Sequence, residues 1–248
     1  MTYKATLSGI DGCGKSTAID NVSRDLAREG YTVAHANRPF FVETGCEKQY
    51  KFSSLVSFVD YLHRKADDAE RRFAVTVING LYQTTIRPLS EAYVKYRYNP
   101  DVIINGRDSN LDPTVYSTYY IPTLGKLSPL SRSMLFSFLI QTQRTDVIFY
   151  FDIDPAVAHE RITKRIEKEK KAGVVNRKKF HHMHETPEGL KFLREQYEVS
   201  VDALGKKHNM NIVRINALST EEDVSRDILY YVKNALVQTR SVPAIGII

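Results

Sequence analysis

The sequence predicts an α/β domain in which a parallel β-sheet is covered by helices on both faces. Short apolar runs alternate with longer helical stretches along the chain, the strongest of the runs being Val147–Asp152, and a glycine-rich turn follows the first run at once. With 248 residues, 42% of them hydrophobic and 26% charged, one core is affordable without a disulfide or structural metal. A single domain over residues 1–240 is expected, followed by a tail at 241–248 with no clear role.

Tyr3–Leu7 reads as a short buried strand. Thr17–Arg28 is helical, with Ile19, Val22, Leu26 and Ala27 on one face and Gly30 just past the end. Tyr31–Ala36 is a second strand, residues 50–96 are mostly helical in at least two segments, and Val102–Asn105 is a compact apolar strand. Pro113, Pro122 and Pro129 mark a turn-rich stretch, after which Ser131–Thr142 is helical. Val147–Asp152 leads to a long basic helix opened by Pro155, proline being favoured in a first helical turn. Helix Pro187–Leu204, strand Asn211–Ile215 and helix Glu221–Val237 complete the pattern.

The formal net charge of +6 points to an anionic partner: nucleic acid, a membrane surface or a phosphorylated small molecule. Much of the excess lies between Arg161 and Lys179, which taken alone reads equally as a solvated basic helix. The two cysteines, Cys13 and Cys46, have neither disulfide-framework nor zinc-site spacing. No apolar run reaches the length of a signal peptide core or a membrane span, so a cytoplasmic protein is expected.

Gly9-Ile-Asp11-Gly12-Cys13-Gly14-Lys15-Ser16 fits G-x-x-x-x-G-K-[ST] between a predicted strand and a predicted helix. Glycines let successive backbone N–H groups curl around a phosphate, and the helix N-terminus favours negative charge. Lys15 suits the β- and γ-phosphates of a nucleoside triphosphate, and the Ser16 hydroxyl suits Mg²⁺. Thr17 completes the candidate ATP-binding set in the first helical turn. Cys13 is either an oxidation-sensitive thiol beside Lys15 or a small residue that fits the loop.

The chain resembles the thymidylate kinase family. Gly-Ile-Asp11-Gly-Cys-Gly-Lys-Ser is similar to that family's phosphate loop, and Arg38-Pro39 to its arginine-and-proline turn beside the acceptor phosphate. Phe151-Asp-Ile-Asp-Pro-Ala-Val-Ala-His-Glu-Arg161-Ile-Thr-Lys-Arg165 resembles the strand, proline turn and helix that enter the family's LID. Glu188–Tyr197 is similar to the segment leaving it, and the stretch from Ile215 through Asn216 and Ala217 to the loop bordering adenine. The resemblance implies a P-loop kinase sandwich of three layers with a helical LID over about 161–187, ATP and Mg²⁺ as cofactors, and dTMP as acceptor. It implies that Asp11 seats the acceptor sugar, that Arg38 and Arg107 meet the acceptor phosphate, and that Arg161 and Arg165 stabilise the transferring group. A homodimer is a further implication.

The chain departs from the family pattern at two places. In Asn105-Gly106-Arg107-Asp108-Ser109, Gly106 stands where an acid is expected, leaving Asp108 either as a metal ligand or as a turn cap. Alignment on Asn79 puts Thr76 and Gly80 where the resemblance expects a stacking aromatic and an arginine, with Phe73, Tyr82 and Arg87 nearby. Tyr116, Tyr119 and Tyr120 are packing residues or the lining of the acceptor site, with Tyr116 the candidate substrate contact. His181, His182 and His184 read as an exposed histidine-rich loop rather than a metal site. Two other functions remain: a kinase of the same fold acting on a nucleoside or small alcohol, and a non-catalytic nucleotide- or nucleic-acid-binding protein.

Overall fold

The structure is a computed structural model that describes residues 2–35, 40–44, 47–51, 58–59, 61–63, 65–66, 69, 71–82, 86–139, 144–172, 184–207 and 210–241. Its strands are β1 (Tyr3–Ser8), β2 (Val33–His35), β3 (Phe40–Thr44), β4 (Glu47–Lys51), β5 (Val102–Asn105), β6 (Val147–Asp152) and β7 (Ile212–Asn216). The described helices are α1 (Lys15–Arg28), α2 (Arg72–Leu81), α3 (Arg87–Tyr98), α4 (Leu111–Tyr120), α5 (Pro129–Leu139), α6 (Pro155–Lys171), α7 (Pro187–Lys207) and α8 (Glu221–Ser241). A 3₁₀ turn at Pro122–Lys126 joins α4 to α5.

One sheet runs in the order β4-β3-β2-β5-β1-β6-β7. The five strands from β2 to β7 pair in parallel, as expected from the alternation of apolar runs and helices. β3 and β4 add to the β2 edge in antiparallel fashion, with Val33 opposite Glu43 and Phe41 opposite Tyr50. This ribbon was not expected. Phe40–Thr44 and Glu47–Lys51 are separated by only two residues, the spacing of a hairpin, and they fall partly in the stretch expected to be helical.

The central strands are buried because helices cover both faces of the sheet. Ala5, Leu7, Ile104 and Phe149 are fully buried, and Val22 and Leu26 of α1, Ile162 of α6 and Leu193 of α7 close over them. Parallel pairing brings the carboxyl ends of β1, β5, β6 and β7 to one edge, where ligands of open α/β sheets bind. The phosphate loop leaves the central strand of that edge.

The region after β5 differs from the expectation. It is the helix α4, not a run of turns. Pro113 lies in its first turn, where a missing N–H costs no intrahelical bond.

Gly12 controls the approach of α6. It has φ 82°, and a Cβ there would lie 2.4 Å from the Ala158 carbonyl oxygen and 3.0 Å from Ile162. Helix α6 therefore rests directly on the phosphate loop. Gly12→Ala is expected to destabilise the fold by about 1–3 kcal/mol, combining left-handed backbone strain with overpacking. Chemical denaturation of both proteins checks this, and an unchanged midpoint would contradict the packing described.

Candidate active site

The phosphate loop has three glycines in backbone conformations that other residues rarely adopt, Gly9 at φ 145°, Gly12 at 82° and Gly14 at 99°. The Lys15 ammonium folds back within the loop, donating to the carbonyls of Gly9 (2.9 Å) and Ile10 (2.8 Å) and lying 3.3 Å from Cys13 Sγ. Cys13 itself is buried in the main core, so the small-residue role fits it better than a surface thiol. Ser16 is exposed and Thr17 half-buried at the start of α1.

Arg161 and Arg165, one helical turn apart, have different neighbours. Arg161 is exposed, and its Nη1 lies 4.0 Å from the Cβ position that Gly14 lacks, so its guanidinium stands over the loop. Among the described residues no carboxylate pairs with it. One turn later, Arg165 Nη2 lies 3.3 Å from the buried Glu185 carboxylate.

On the other side of the loop, Arg107 organises a polar cluster. Its Nη2 lies 2.7 Å from Asp11 Oδ1, its Nη1 lies 3.3 Å from Asp112 Oδ1, and the guanidinium stacks 4.5 Å from the Tyr116 ring centre. Asp11 Oδ2 accepts from the Tyr116 hydroxyl (3.1 Å) and from His184 Nε2 (2.6 Å). Asp112 accepts from Ser8 (2.5 Å), Tyr197 (2.6 Å) and the Asp108 amide (2.7 Å). Burial alone would raise the Asp11 pKa, but the Arg107 charge and the His184 hydrogen bond outweigh it and hold the carboxyl well below the usual range. Burial pushes the Tyr116 and Tyr197 hydroxyls well up, so both act as neutral donors.

A second buried network supports Arg107 from beneath. Arg87 has no exposed surface, and its Nη2 donates to the Arg107 carbonyl at 2.6 Å. Glu91 balances it, accepting from Arg87 Nε (3.4 Å), Lys4 Nζ (2.8 Å) and Asn105 Nδ2 (3.3 Å). Burial lowers the Lys4 pKa, and Glu91 opposes that. Arg87 therefore braces the backbone from the core and is not placed to meet a base.

Several expected site residues lie elsewhere or have other partners. Arg38, His181 and His182 lie outside the described residues. Asp108 has both oxygens engaged, accepting from Thr6 (3.2 Å) and Thr145 (2.8 Å) and from the amides of Asn110 and Leu111 (2.8 Å each). That is the geometry of a turn cap, and it leaves Asp108 poorly placed as a metal ligand. Asn79 Nδ2 bonds to His63 Nε2 at 3.2 Å. Phe73 is largely exposed and Tyr82 is buried. A Cβ at Gly106 would lie 3.1 Å from Ile19, so an acid there would crowd α1. Asn216 and Ala217 lie at the end of β7, where the Ala217 amide donates to the Asp152 carbonyl at 3.0 Å.

Three cluster members were missed or misread. Asp112 was hidden by the proline-based turn reading. Tyr197 was noted only as the end of the family-like segment Glu188–Tyr197, with no site role. His184, expected in an exposed loop, is buried. Its usable signal was the Thr186-Pro187 helix start, where the Gly189 amide donates to Thr186 Oγ1 at 3.1 Å.

No protein-family model matches the chain. A thymidylate kinase from Leptospira borgpetersenii serovar Hardjo-bovis (strain L550) is 27% identical over 162 residues, covering 64% of this chain and 67% of that protein. A deoxyadenosine kinase structure from M. mycoides, with the products dCMP and a flexible dCDP bound, superposes with TM-score 0.59 at 17% identity, over 93% of this chain and 99% of that one. The same kinase with bound dCTP gives 0.58 at 15% identity and the same coverage. The chain is similar in sequence to a thymidylate kinase and has the fold of the deoxyadenosine kinase structures. Among the described residues no helix is long and apolar enough to cross a membrane.

The depressed Asp11 pKa gives a pH test. Its contribution to stability is complete above the unfolded value of about 4 and is lost as pH falls through the lower folded value. Asp11→Asn is expected to be less stable than the parent at pH 7, with a shallower loss of stability below about pH 4. Urea unfolding at several pH values measures both, and parallel curves would contradict the pairing.

Proposed function

We propose that the chain is a Mg·ATP-dependent nucleoside-monophosphate kinase with dTMP as its acceptor. The observation that carries this reading is the engagement of every carboxylate oxygen around Arg107 by a protein donor. Each oxygen of Asp11, Asp108 and Asp112 already accepts from a protein donor. A hydroxyl acceptor needs a group to take its proton. An attacking phosphate is already anionic and needs none, and the Arg107 guanidinium suits such a group. The sequence similarity to a thymidylate kinase supports dTMP as the first acceptor to test.

On the donor side, the residues fit a Mg-bound triphosphate. The glycine conformations let the loop make the tight turn that a phosphate would need, with Gly14 N-capping α1. Phosphate oxygens would replace the loop carbonyls as acceptors for Lys15, and the exposed Ser16 hydroxyl would hold the metal, which neutralises charge on the phosphates. Arg161 supplies a cation over the loop, while Arg165 braces the chain through Glu185. Asn216 and Ala217 border the adenine. The basic charge then serves phosphate binding in a cytoplasmic enzyme.

ADP release should be followed with purified protein and Mg·ATP across dTMP, dUMP, the other nucleoside monophosphates and thymidine. Turnover is expected with dTMP and none with thymidine, and Lys15→Ala should abolish it. Turnover with thymidine alone would move the acceptor to a hydroxyl, and turnover with none would sink the kinase reading. Arg161→Ala is expected to lower kcat by about 10²-fold or more, the scale of a lost transition-state contact. Arg165→Ala should cost far less, and equal losses would show that both arginines reach the transferring group.

A further inference from the structure

We infer that His184 is a positioning residue for the acceptor side of the site, an inference that rests on the proposed kinase function. His184 is buried between two elements distant in sequence. Its Nε2 reaches Asp11 Oδ2 in the phosphate loop, and its Nδ1 lies 2.6 Å from the Tyr120 hydroxyl of α4. An ionised carboxylate can only accept, so Nε2 carries the proton. In the neutral ring, Nδ1 then accepts from Tyr120. The ring is further enclosed by the edges of Tyr116 at 5.3 Å, Tyr120 at 5.9 Å and Tyr119 at 6.3 Å between ring centres.

The backbone at His184 is seated from below. A Cβ on Gly189 would lie 2.7 Å from the His184 carbonyl oxygen, so the first turn of α7 presses directly on this segment. Imidazole orientation is thereby set by packing on one side and by two hydrogen bonds on the other. The consequence falls on Asp11. Arg107 binds one of its oxygens and His184 with Tyr116 binds the other, which leaves the carboxylate no freedom to rotate.

The contacts of His184 include Asp11 and three tyrosines, while Lys15 points into the loop carbonyls and Arg161 stands over Gly14. Losing the imidazole should therefore loosen the acceptor side and spare the triphosphate side. A role in folding alone would show as lower stability with neither ligand singled out.

Isothermal titration calorimetry with dTMP and, separately, with Mg·ATP tests this on the full chain, with thermal unfolding to check each variant. His184→Leu is expected to weaken dTMP binding about tenfold or more and to leave Mg·ATP within about twofold. His184→Gln, which keeps an N–H toward Asp11, should restore dTMP binding to within about threefold. If His184→Leu does not fold, Tyr120→Phe carries the test, since it removes only the hydroxyl on Nδ1, and weaker dTMP binding is expected. Unchanged dTMP binding in folded His184→Leu, or in Tyr120→Phe should that variant decide, overturns the inference alone. So does an equal loss for both ligands, or a failure of His184→Gln to restore. A parent protein that binds Mg·ATP but no nucleoside monophosphate would overturn the acceptor reading and this inference with it.

Discussion

Arg107 lies between two carboxylates, Asp11 and Asp112, and the geometry of the site follows from that neutralisation. A half-buried guanidinium between two carboxylates is held by opposite charge and hydrogen bonds close by, and removing one partner leaves the other uncompensated. The pairing joins the turn after β5 to the phosphate loop and to the first turn of α4. Asp112 in turn ties in Ser8 at the end of β1 and Tyr197 on α7. Five segments from different parts of the chain thus share one polar cluster built on a guanidinium and two carboxylates. Arg87 and Glu91 extend the same logic below it, holding the Arg107 carbonyl with buried charges that balance one another.

Close approach of backbones is the second constraint. Gly12 lets α6 settle on the phosphate loop, and this places Arg161 beside Gly14. A side chain at Gly12 would hold the helix off and move the arginine with it. Gly189 has the same effect on the segment that bears His184. The two faces of the loop are therefore supplied by different helices, each admitted by a missing Cβ.

Legibility in the sequence varied with the range of the interaction. The loop was readable because its backbone demands glycine at fixed spacing, and β5 and β6 because their apolar runs are short and unbroken. Helix α4 was not, since proline signals both a turn and a tolerated first helical turn. The β3–β4 ribbon was overlooked, and only its last two residues fall in the region read as helical. Asp108 left two roles open in sequence, and the positions of Thr6, Thr145 and the Asn110 and Leu111 amides show both its oxygens to be engaged. For Arg161 and Arg165, a four-residue spacing implied a shared task. Tertiary structure separated them, because Glu185 lies beside one and the phosphate loop beside the other.

By itself the sequence determined the alternation of strands and helices, the phosphate loop and the candidate cations around it. These depend on conformational demands that neighbouring residues satisfy within a turn or a strand. Tertiary structure alone decided which charges meet. Asp11 pairs with Arg107 across 96 residues and with His184 across 173, and no local pattern encodes such distances. The strand order brings those segments to one edge, and burial there makes each charge take the nearest partner that can neutralise it.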